Sequence, residues 1–338
     1  MGEFDLLAKV RERLPPLGPR VLVGSGDDAA VTLPGGATAT SIDALVDGVH
    51  FRREWATPAQ IGRKALATAL SDLAAMGAEP GEAYVALGAP ADFGEPQCLE
   101  LIDGILALAL ESGTTLAGGD ITRAPALTLA VTVVGHATAP ERLVRRGGAQ
   151  PGDVLVLTGE IGGAAAGLLL LERPELAAAI DANIVERLRA RQIVPLPRLE
   201  EGRLLAATGA RSMIDLSDGL GADAAHLATA SGAGLRIEAA TLPLQNGVAA
   251  VATTAGLDPL ELAASGGEDY ELLAALPPQC LDEAMSKVKG TGAATLTRVG
   301  EVVADDGVEI RLSGGRLLAT VGFDQFRRGP DSRSSTAP

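Results

Sequence analysis

Acidic residues recur along this chain inside apolar or glycine-rich segments, and this pattern most restricts how the chain can fold. In the first such segment, residues 24–31, Asp27 and Asp28 follow a glycine turn and precede an apolar run. Related segments follow at Ser41-Ile42-Asp43, Ser71-Asp72, Gly118-Gly119-Asp120, Asp215-Leu216-Ser217-Asp218 and Gly267-Glu268-Asp269. Adjacent carboxylates repel each other, and an unpaired charge is costly in apolar surroundings. The fold must therefore expose these turns to water or gather the carboxylates around cations.

A predicted helix over residues 58–76 gives the best evidence that one of these acids is functional. Thr57 is a typical helix cap, and Pro58 suits the first helical position. At the helical repeat, Asp72 lies on the same apolar stripe as Ile61. Because charged side chains are rarely buried without a partner, this position favours a functional acid over an aspartate that only caps neighbouring backbone.

Strand and helix patterns alternate irregularly and predict an α+β protein with two α/β-type domains. Strands are expected at residues 21–23, 29–33, 37–43, 83–87, 116–120, 127–136, 153–158, 213–216, 235–238, 270–276, 296–303 and 308–312. Helices are expected at residues 3–13, 58–76, 96–112 and 221–230, over 183–208 with an interruption near Pro195 and Pro197, and in a small-residue stretch that opens at residues 159–163. A polar, glycine-rich stretch sets the domain boundary, giving domains at 1–138 and 139–327 and a disordered tail at 328–338.

Charge and cysteine content exclude several classes of partner. The formal net charge of −15 argues against a nucleic acid or an anionic membrane surface as a partner. The sequence contains no apolar run of the length that a membrane span needs. Two cysteines are too few for a disulfide framework, and the first residues do not resemble a secretory signal, so a cytoplasmic location is expected.

The donor types favour magnesium over zinc. Three histidines and two cysteines are widely scattered, so no soft-ligand cluster can be recognised. Carboxylate oxygens at strand ends and turns suit Mg²⁺, which binds through a few carboxylates together with substrate phosphates. No arrangement of serine, cysteine and histidine indicates a nucleophilic triad. His50, in an acidic loop, is equally compatible with ligand contact and with packing.

The motifs together resemble the thiamine-monophosphate kinase family, in the superfamily of aminoimidazole-ribonucleotide synthetase. They occur in the family's order at residues 26–29, 43–51, 69–78, 118–120, 214–220 and 265–272, and the resemblance extends over nearly the whole chain. It implies ATP-dependent phosphorylation of thiamine monophosphate to thiamine diphosphate. It also implies an N-terminal mixed sheet that pairs across a homodimer and a C-terminal α+β domain.

The resemblance also assigns roles to individual residues. It implies that several Mg²⁺ ions are held by Asp28, Ser41, Asp43, Asp72, Asp120, Asp215 and Asp218. It implies contacts to ATP from Gly119, Asp120, Arg146 and Ser217, and contacts to the thiamine substrate from His50, Glu268 and Phe323. No residue is expected to act as a general acid or base, since the acceptor phosphate is already largely anionic at neutral pH. We expect direct in-line transfer, assisted by the metal ions.

Two positions depart from the family pattern, and other functions remain open. Ile42 stands where relatives commonly have threonine, and Phe323 where they have tyrosine or tryptophan. Another enzyme of the superfamily, such as a formylglycinamidine cyclase or a selenophosphate synthetase, is one alternative. The second of these normally carries a reactive cysteine or selenocysteine near its N-terminus, whereas the first cysteine here is Cys98. A non-catalytic regulator that binds nucleotide or metal is the other alternative.

Overall fold

The computed structural model describes residues 3–25 (the backbone alone at 3–5), 29–33, 35–312 and 317–318. Its first domain contains α1 (Glu3–Arg11), β1 (Val21–Val23), β2 (Val31–Thr32), β3 (Ala37–Val46), α2 (Pro58–Met76), β4 (Glu79–Ala89), α3 (Glu95–Ser112), β5 (Thr115–Arg123) and β6 (Thr128–Ala137). Four strands form a mixed sheet in the order β3-β6-β4-β5, in which the β4–β5 pair is parallel. The short strands β1 and β2 pair with each other.

The second domain adds a six-stranded mixed sheet with helices. Its elements are β7 (Val154–Thr158), α4 (Gly163–Glu172), α5 (Ala182–Ile193), α6 (Leu199–Thr208), β8 (Ser212–Asp215), α7 (Leu220–Ser231), β9 (Gly234–Glu238), α8 (Val248–Ala255), α9 (Pro259–Ser265), β10 (Leu272–Leu276), α10 (Leu281–Thr291), β11 (Leu296–Val303) and β12 (Val308–Arg311). The strand order is β12-β9-β11-β7-β10-β8, and only the β9–β12 pair is parallel in this described sheet. The predicted α+β class with two domains is confirmed.

Helix α2 lies between the two domains and organises both. Thr57 and Gln60 form a reciprocal capping box at its start, and Gly77 ends it in the left-handed conformation (φ 64°). Its first turns pack on α3, where a Cβ at Gly62 would lie 2.0 Å from the carbonyl oxygen of Leu101. This close approach of two helices explains why glycine is needed there.

The two ends of α2 belong to different cores. Leu66 and Leu70 are buried with β6 and α3 in the core of the first domain. In the last turns, Ala74 and Ala75 are buried instead against second-domain residues that include Leu205, Met213, Leu272, Ala274 and Leu276. The last turn of the helix is therefore part of the second domain's core.

Expected and observed boundaries agree at some elements and differ at others. The predicted interruption of the helical pattern over residues 183–208, near Pro195 and Pro197, separates α5 from α6. The strand expected from residue 270 begins only at Leu272, because Tyr270 has φ 51°, a backbone conformation that no strand contains. Helices α8, α9 and α10 were not predicted. Within the described residues, no helix is long and apolar enough to cross a membrane.

Candidate active site

A cavity of about 820 Å³ opens between the two domains, and four of the acids predicted to bind metal line it. These are Asp43 on β3, Asp72 on α2, and Asp215 and Asp218 at and after the end of β8. The hydroxyl of Ser41 donates to Asp72, and the hydroxyl of Ser71 donates to Asp215 Oδ2 at 2.7 Å. Acids that are far apart in the sequence thus face one space.

Burial and neighbouring negative charge raise the pKa values of three carboxyl groups in and beside the cavity, those of Asp43, Asp215 and Asp223. Burial, followed by the charge of Asp72, raises the pKa of Asp43 and that of Asp215, the latter to about 7. Burial also raises the pKa of Asp223, on α7, to about 8, with smaller contributions from Asp215 and Asp218. Asp223 accepts hydrogen bonds at 3.0 Å from the backbone N–H groups of Asp218 and Gly219, and so holds the turn that carries Asp218. Sequence reasoning missed it, although its place in the first turn of a helix after an acidic loop was a usable signal.

His50 and Glu268 line the same cavity. His50 Nδ1 accepts a hydrogen bond from the backbone N–H of Val46 at 3.1 Å. Burial lowers the pKa of His50, Glu268 opposes that shift and Lys64 adds to it. A neutral imidazole at pH 7 follows from the lowered pKa. Glu268 lies 2.8 Å from Lys64 Nζ and accepts a hydrogen bond from the side chain of Gln192.

The loop that carries Glu268 lies directly on the turn after β8. The backbone N–H groups of Glu268 and Tyr270 donate to the carbonyl oxygens of Ser217 and Leu216, both at 2.9 Å. A Cβ at Gly267 would lie 2.4 Å from the carbonyl oxygen of Ser217, so the contact requires glycine. Glu268 and Tyr270 are the non-glycine residues with positive φ in the described chain, at 68° and 51°. Backbone strain of this kind often marks functional loops.

The loop residues that follow Glu268 belong to a buried ionic network. Glu271 is fully buried and accepts hydrogen bonds from Arg191, from Thr158 Oγ1 at 2.8 Å and from two guanidinium nitrogens of Arg198 at 2.6 Å. Asp269 accepts hydrogen bonds from the backbone N–H groups at the start of α4, at 2.6 and 3.0 Å. Burial raises the pKa of Asp269 to about 6 against the opposing effect of Arg191 and of those hydrogen bonds. The network fixes the part of the loop that follows Glu268.

Strand register separates Asp120 from the other acids within one chain. On the four-stranded sheet Asp120 is aligned with Ala86, and Ala86 with Ala130 and then Ala44. Asp43 is offset by one residue, so its side chain lies on the opposite face, which α2 covers. Asp120 and the adjacent Gly119 are exposed on the edge strand β5 and do not line the cavity.

The other predicted site residues are placed as follows. The side chain of Ile42 is 67% exposed on the open face of the sheet, so it does not face the acids of the cavity. Ser217 lines the cavity. Arg146 is exposed outside it, with its carbonyl oxygen bonded to Ser212. Asp28 and Phe323 lie outside the described residues, so the roles predicted for them stay predictions.

The donor set of the cavity suits a hard cation. Asp43, Asp72, Asp215 and Asp218 offer carboxylate oxygens, and burial followed by the charge of Asp72 raises the pKa values of Asp43 and Asp215. Divalent cations would relieve that repulsion, and Mg²⁺ binds such oxygens together with phosphates. Within the described ranges, no three acidic, histidine or cysteine side chains already form a group that could hold an ion. The donors would therefore need further oxygens, such as water or phosphate.

Comparison with known proteins matches both domains. Residues 26–137 match the N-terminal domain of AIR synthase related proteins, and residues 150–313 match the C-terminal domain. A thiamine-monophosphate kinase of Mycobacterium tuberculosis is 40% identical over 282 residues, which are 81% of this chain and 80% of that protein. The crystal structure of thiamine-monophosphate kinase from Stenotrophomonas maltophilia matches with a TM-score of 0.79 at 34% identity, covering 92% of this chain and 95% of that one. AaThiL complexed with AMPPCP and TMP matches with a TM-score of 0.75 at 27% identity, covering 96% of each chain.

Proposed function

Because this chain belongs to the thiamine-monophosphate kinase family of AIR synthase related proteins, we propose that it transfers the terminal phosphoryl group of ATP to thiamine monophosphate. A phosphate oxygen of thiamine monophosphate attacks the terminal phosphorus, the bond to the bridging oxygen breaks, and ADP and thiamine diphosphate result. The observation that carries the proposal is the convergence of Asp43, Asp72, Asp215 and Asp218 in one cavity that His50 and Glu268 also line. A related protein of 27% identity binds both AMPPCP and TMP.

We assign the metal shell to the acids that line the cavity together with the other acidic and hydroxyl residues of the same motifs. Several Mg²⁺ ions would be held by Asp28, Ser41, Asp43, Asp72, Asp120, Asp215 and Asp218. When bound, the ions neutralise phosphate charge and so allow two anionic molecules to approach each other. Asp223 supports this shell by fixing the turn that presents Asp218.

The chain's own residues then bind and orient the two substrates. Gly119, Asp120, Arg146 and Ser217 are assigned to ATP, and His50, Glu268 and Phe323 to the thiamine substrate. The second pKa of a phosphate monoester is about 6, so the acceptor needs no protein base at neutral pH. Alignment of the reacting groups and exclusion of water provide the protein's part of the catalysis. The transfer is direct and in line, with no phosphorylated enzyme.

A homodimer through the first domain is part of this proposal. The open face of the four-stranded sheet exposes Ile42 and carries small residues such as Ala44, Ala86 and Ala130. A second copy packed on this face would cover Ile42 and the neighbourhood of Asp120. We also propose a cytoplasmic location, in keeping with the two free thiols, Cys98 and Cys280.

The test is formation of thiamine diphosphate by the purified protein from ATP, Mg²⁺ and thiamine monophosphate, followed by liquid chromatography. Equal amounts of ADP and thiamine diphosphate are expected, and a chelator should stop both. The variant Asp72→Asn should bind substrates weakly and turn over far more slowly, because it removes charge opposite the bridging ions. ATP consumption with a different acceptor would favour another enzyme of the superfamily, and binding without turnover would favour a regulator.

A further inference from the structure

We propose that Lys64 is a positioning residue of the thiamine-phosphate site, which holds the Glu268 carboxylate in place across the boundary between the two domains. The inference rests on the proposed function, in which Glu268 contacts the substrate. Lys64 was not singled out by its sequence, yet it belongs to the same helical stripe as Asp72. Lys64, Thr68 and Asp72 are spaced by four residues on α2, and all three line the cavity.

Lys64 is almost completely buried and joins three elements. Its side chain is 4% exposed, which is unusual for lysine. The Nζ atom lies 2.8 Å from Glu268 Oε1 and donates a hydrogen bond to the carbonyl oxygen of Gln192 at 3.0 Å. Lys64 is in the first domain, whereas Gln192, at the end of α5, and Glu268 are in the second. The ammonium group therefore connects the domains at the wall of the cavity.

The same contacts leave Glu268 little freedom. Its Oε1 faces Lys64, its Oε2 accepts a hydrogen bond from the buried side chain of Gln192, and its backbone N–H donates to Ser217. Its backbone is in the left-handed conformation (φ 68°), which a residue other than glycine adopts only where its surroundings impose it. The side chain remains 26% exposed towards the cavity. The carboxylate is thus fixed in direction while part of it stays accessible to a ligand.

The negative charge of the cavity is a second reason why a lysine is favourable at position 64. The cavity already contains the carboxylates of Asp43, Asp72, Asp215 and Asp218. Among the described residues that line it, the other arginine or lysine is Arg52, whose side chain is 48% exposed and whose guanidinium lies 4.7 Å from the ring of Trp55. Lys64 is therefore the buried cation of this site, and it offsets the charge of Glu268 next to the place where a phosphate-bearing substrate must enter.

The experiment compares Lys64→Met with Arg63→Met in the full chain. Methionine keeps the length and the apolar stem of lysine but removes its charge and its donors. Arg63 precedes Lys64 on the same helix, and its pair with Glu111 lies at the surface, away from the cavity. We expect Lys64→Met to raise KM for thiamine monophosphate about tenfold, with KM for ATP unchanged and kcat within about threefold, and Arg63→Met to change none of them.

A double-mutant cycle with Glu268→Gln separates positioning from a general structural role. If Lys64 acts through Glu268, the double variant should bind thiamine monophosphate no more weakly than Glu268→Gln alone, instead of losing about another tenfold. Trp55, the single tryptophan of the chain, lines the cavity, so its fluorescence reports Kd without turnover. If Lys64→Met alone does not fold, comparing the double variant with Glu268→Gln still tests the inference. The double variant has no Glu268 carboxylate that would be left without its lysine.

The outcomes distinguish this inference from the proposed function. No thiamine diphosphate from the wild-type protein would refute the function itself. If the wild-type protein is active, any of three results would refute the inference alone. Lys64→Met could leave KM for thiamine monophosphate unchanged, KM for ATP could rise equally, or the effects of the two substitutions on binding of thiamine monophosphate could be additive. Thermal melting of each variant shows whether a change in KM accompanies partial unfolding.

Discussion

Replacing Asp215 by asparagine should stabilise the metal-free protein at alkaline pH while it abolishes the proposed phosphoryl transfer. Asp215 is 4% exposed and lies close enough to Asp72 and Asp43 for their charges to raise its pKa. The buried position of Asp215, close to two other carboxylates, suits the binding of a divalent cation but lowers the stability of the metal-free protein. The amide oxygen of the introduced asparagine would still be able to accept the hydrogen bond from Ser71, so the substitution removes charge and little else.

The size of the effect follows from the pKa of Asp215. An aspartate has a pKa of 3.8 when unfolded, and burial followed by the charge of Asp72 raises that of Asp215 to about 7. Between these values the folded state holds a proton that the unfolded state has released, so stability falls as pH rises, by about 1.4 kcal/mol per pH unit. Over roughly three pH units the loss reaches an upper limit of about 4 kcal/mol, and it is constant above pH 7. The asparagine variant avoids this loss of stability. The substitution also removes one of the charges that raise the pKa of Asp223.

Urea unfolding of both proteins in a chelating buffer measures this difference. The advantage of Asp215→Asn should grow from below about 2 kcal/mol at pH 5 to as much as about 4 kcal/mol at pH 8. Added Mg²⁺ at pH 8 should stabilise the wild type more than the variant and narrow the gap. Asp103→Asn, at an exposed position paired with Arg13, should stay within about 0.5 kcal/mol of the wild type at both pH values. An advantage that does not depend on pH, or a variant less stable than the wild type at pH 8, would refute the reasoning.

Two further substitutions test how much the buried Glu271 ion pairs and the close packing of α2 on α3 contribute to stability. Glu271→Gln should lower the free energy of unfolding by about 3–5 kcal/mol, since it leaves two buried arginines without their carboxylate; a loss below about 1 kcal/mol in urea unfolding would contradict this. Gly62→Ala should cost about 1–3 kcal/mol, because its Cβ would lie 2.0 Å from the carbonyl oxygen of Leu101. Gly290→Ala, on α10 with no atom within 4 Å of the added Cβ, is its control and should gain about 0.5–1 kcal/mol in the same assay.

Periodicity in the sequence predicted the α+β class and placed Asp72 on an apolar stripe, whereas the other cavity residues were assigned from the family resemblance. The same stripe contains Lys64, which no sequence motif marks. The partner of Lys64 is 204 positions away, and Glu268 meets it only because its backbone is left-handed, which no local pattern indicates. Local sequence patterns do not indicate strand register either. The pattern around Asp120 predicts a strand, but a slip of one residue decides which face its side chain occupies.

The buried last turns of α2 tie the folding of the two domains together. If the chain were divided at about residue 138, the second part would lose Ala74 and Ala75 and leave Leu205, Met213 and Leu272 open to water. Such a fragment is expected to aggregate rather than to fold alone, although its sheet is complete in the described chain. The two domains are therefore expected to be inherited together on one polypeptide.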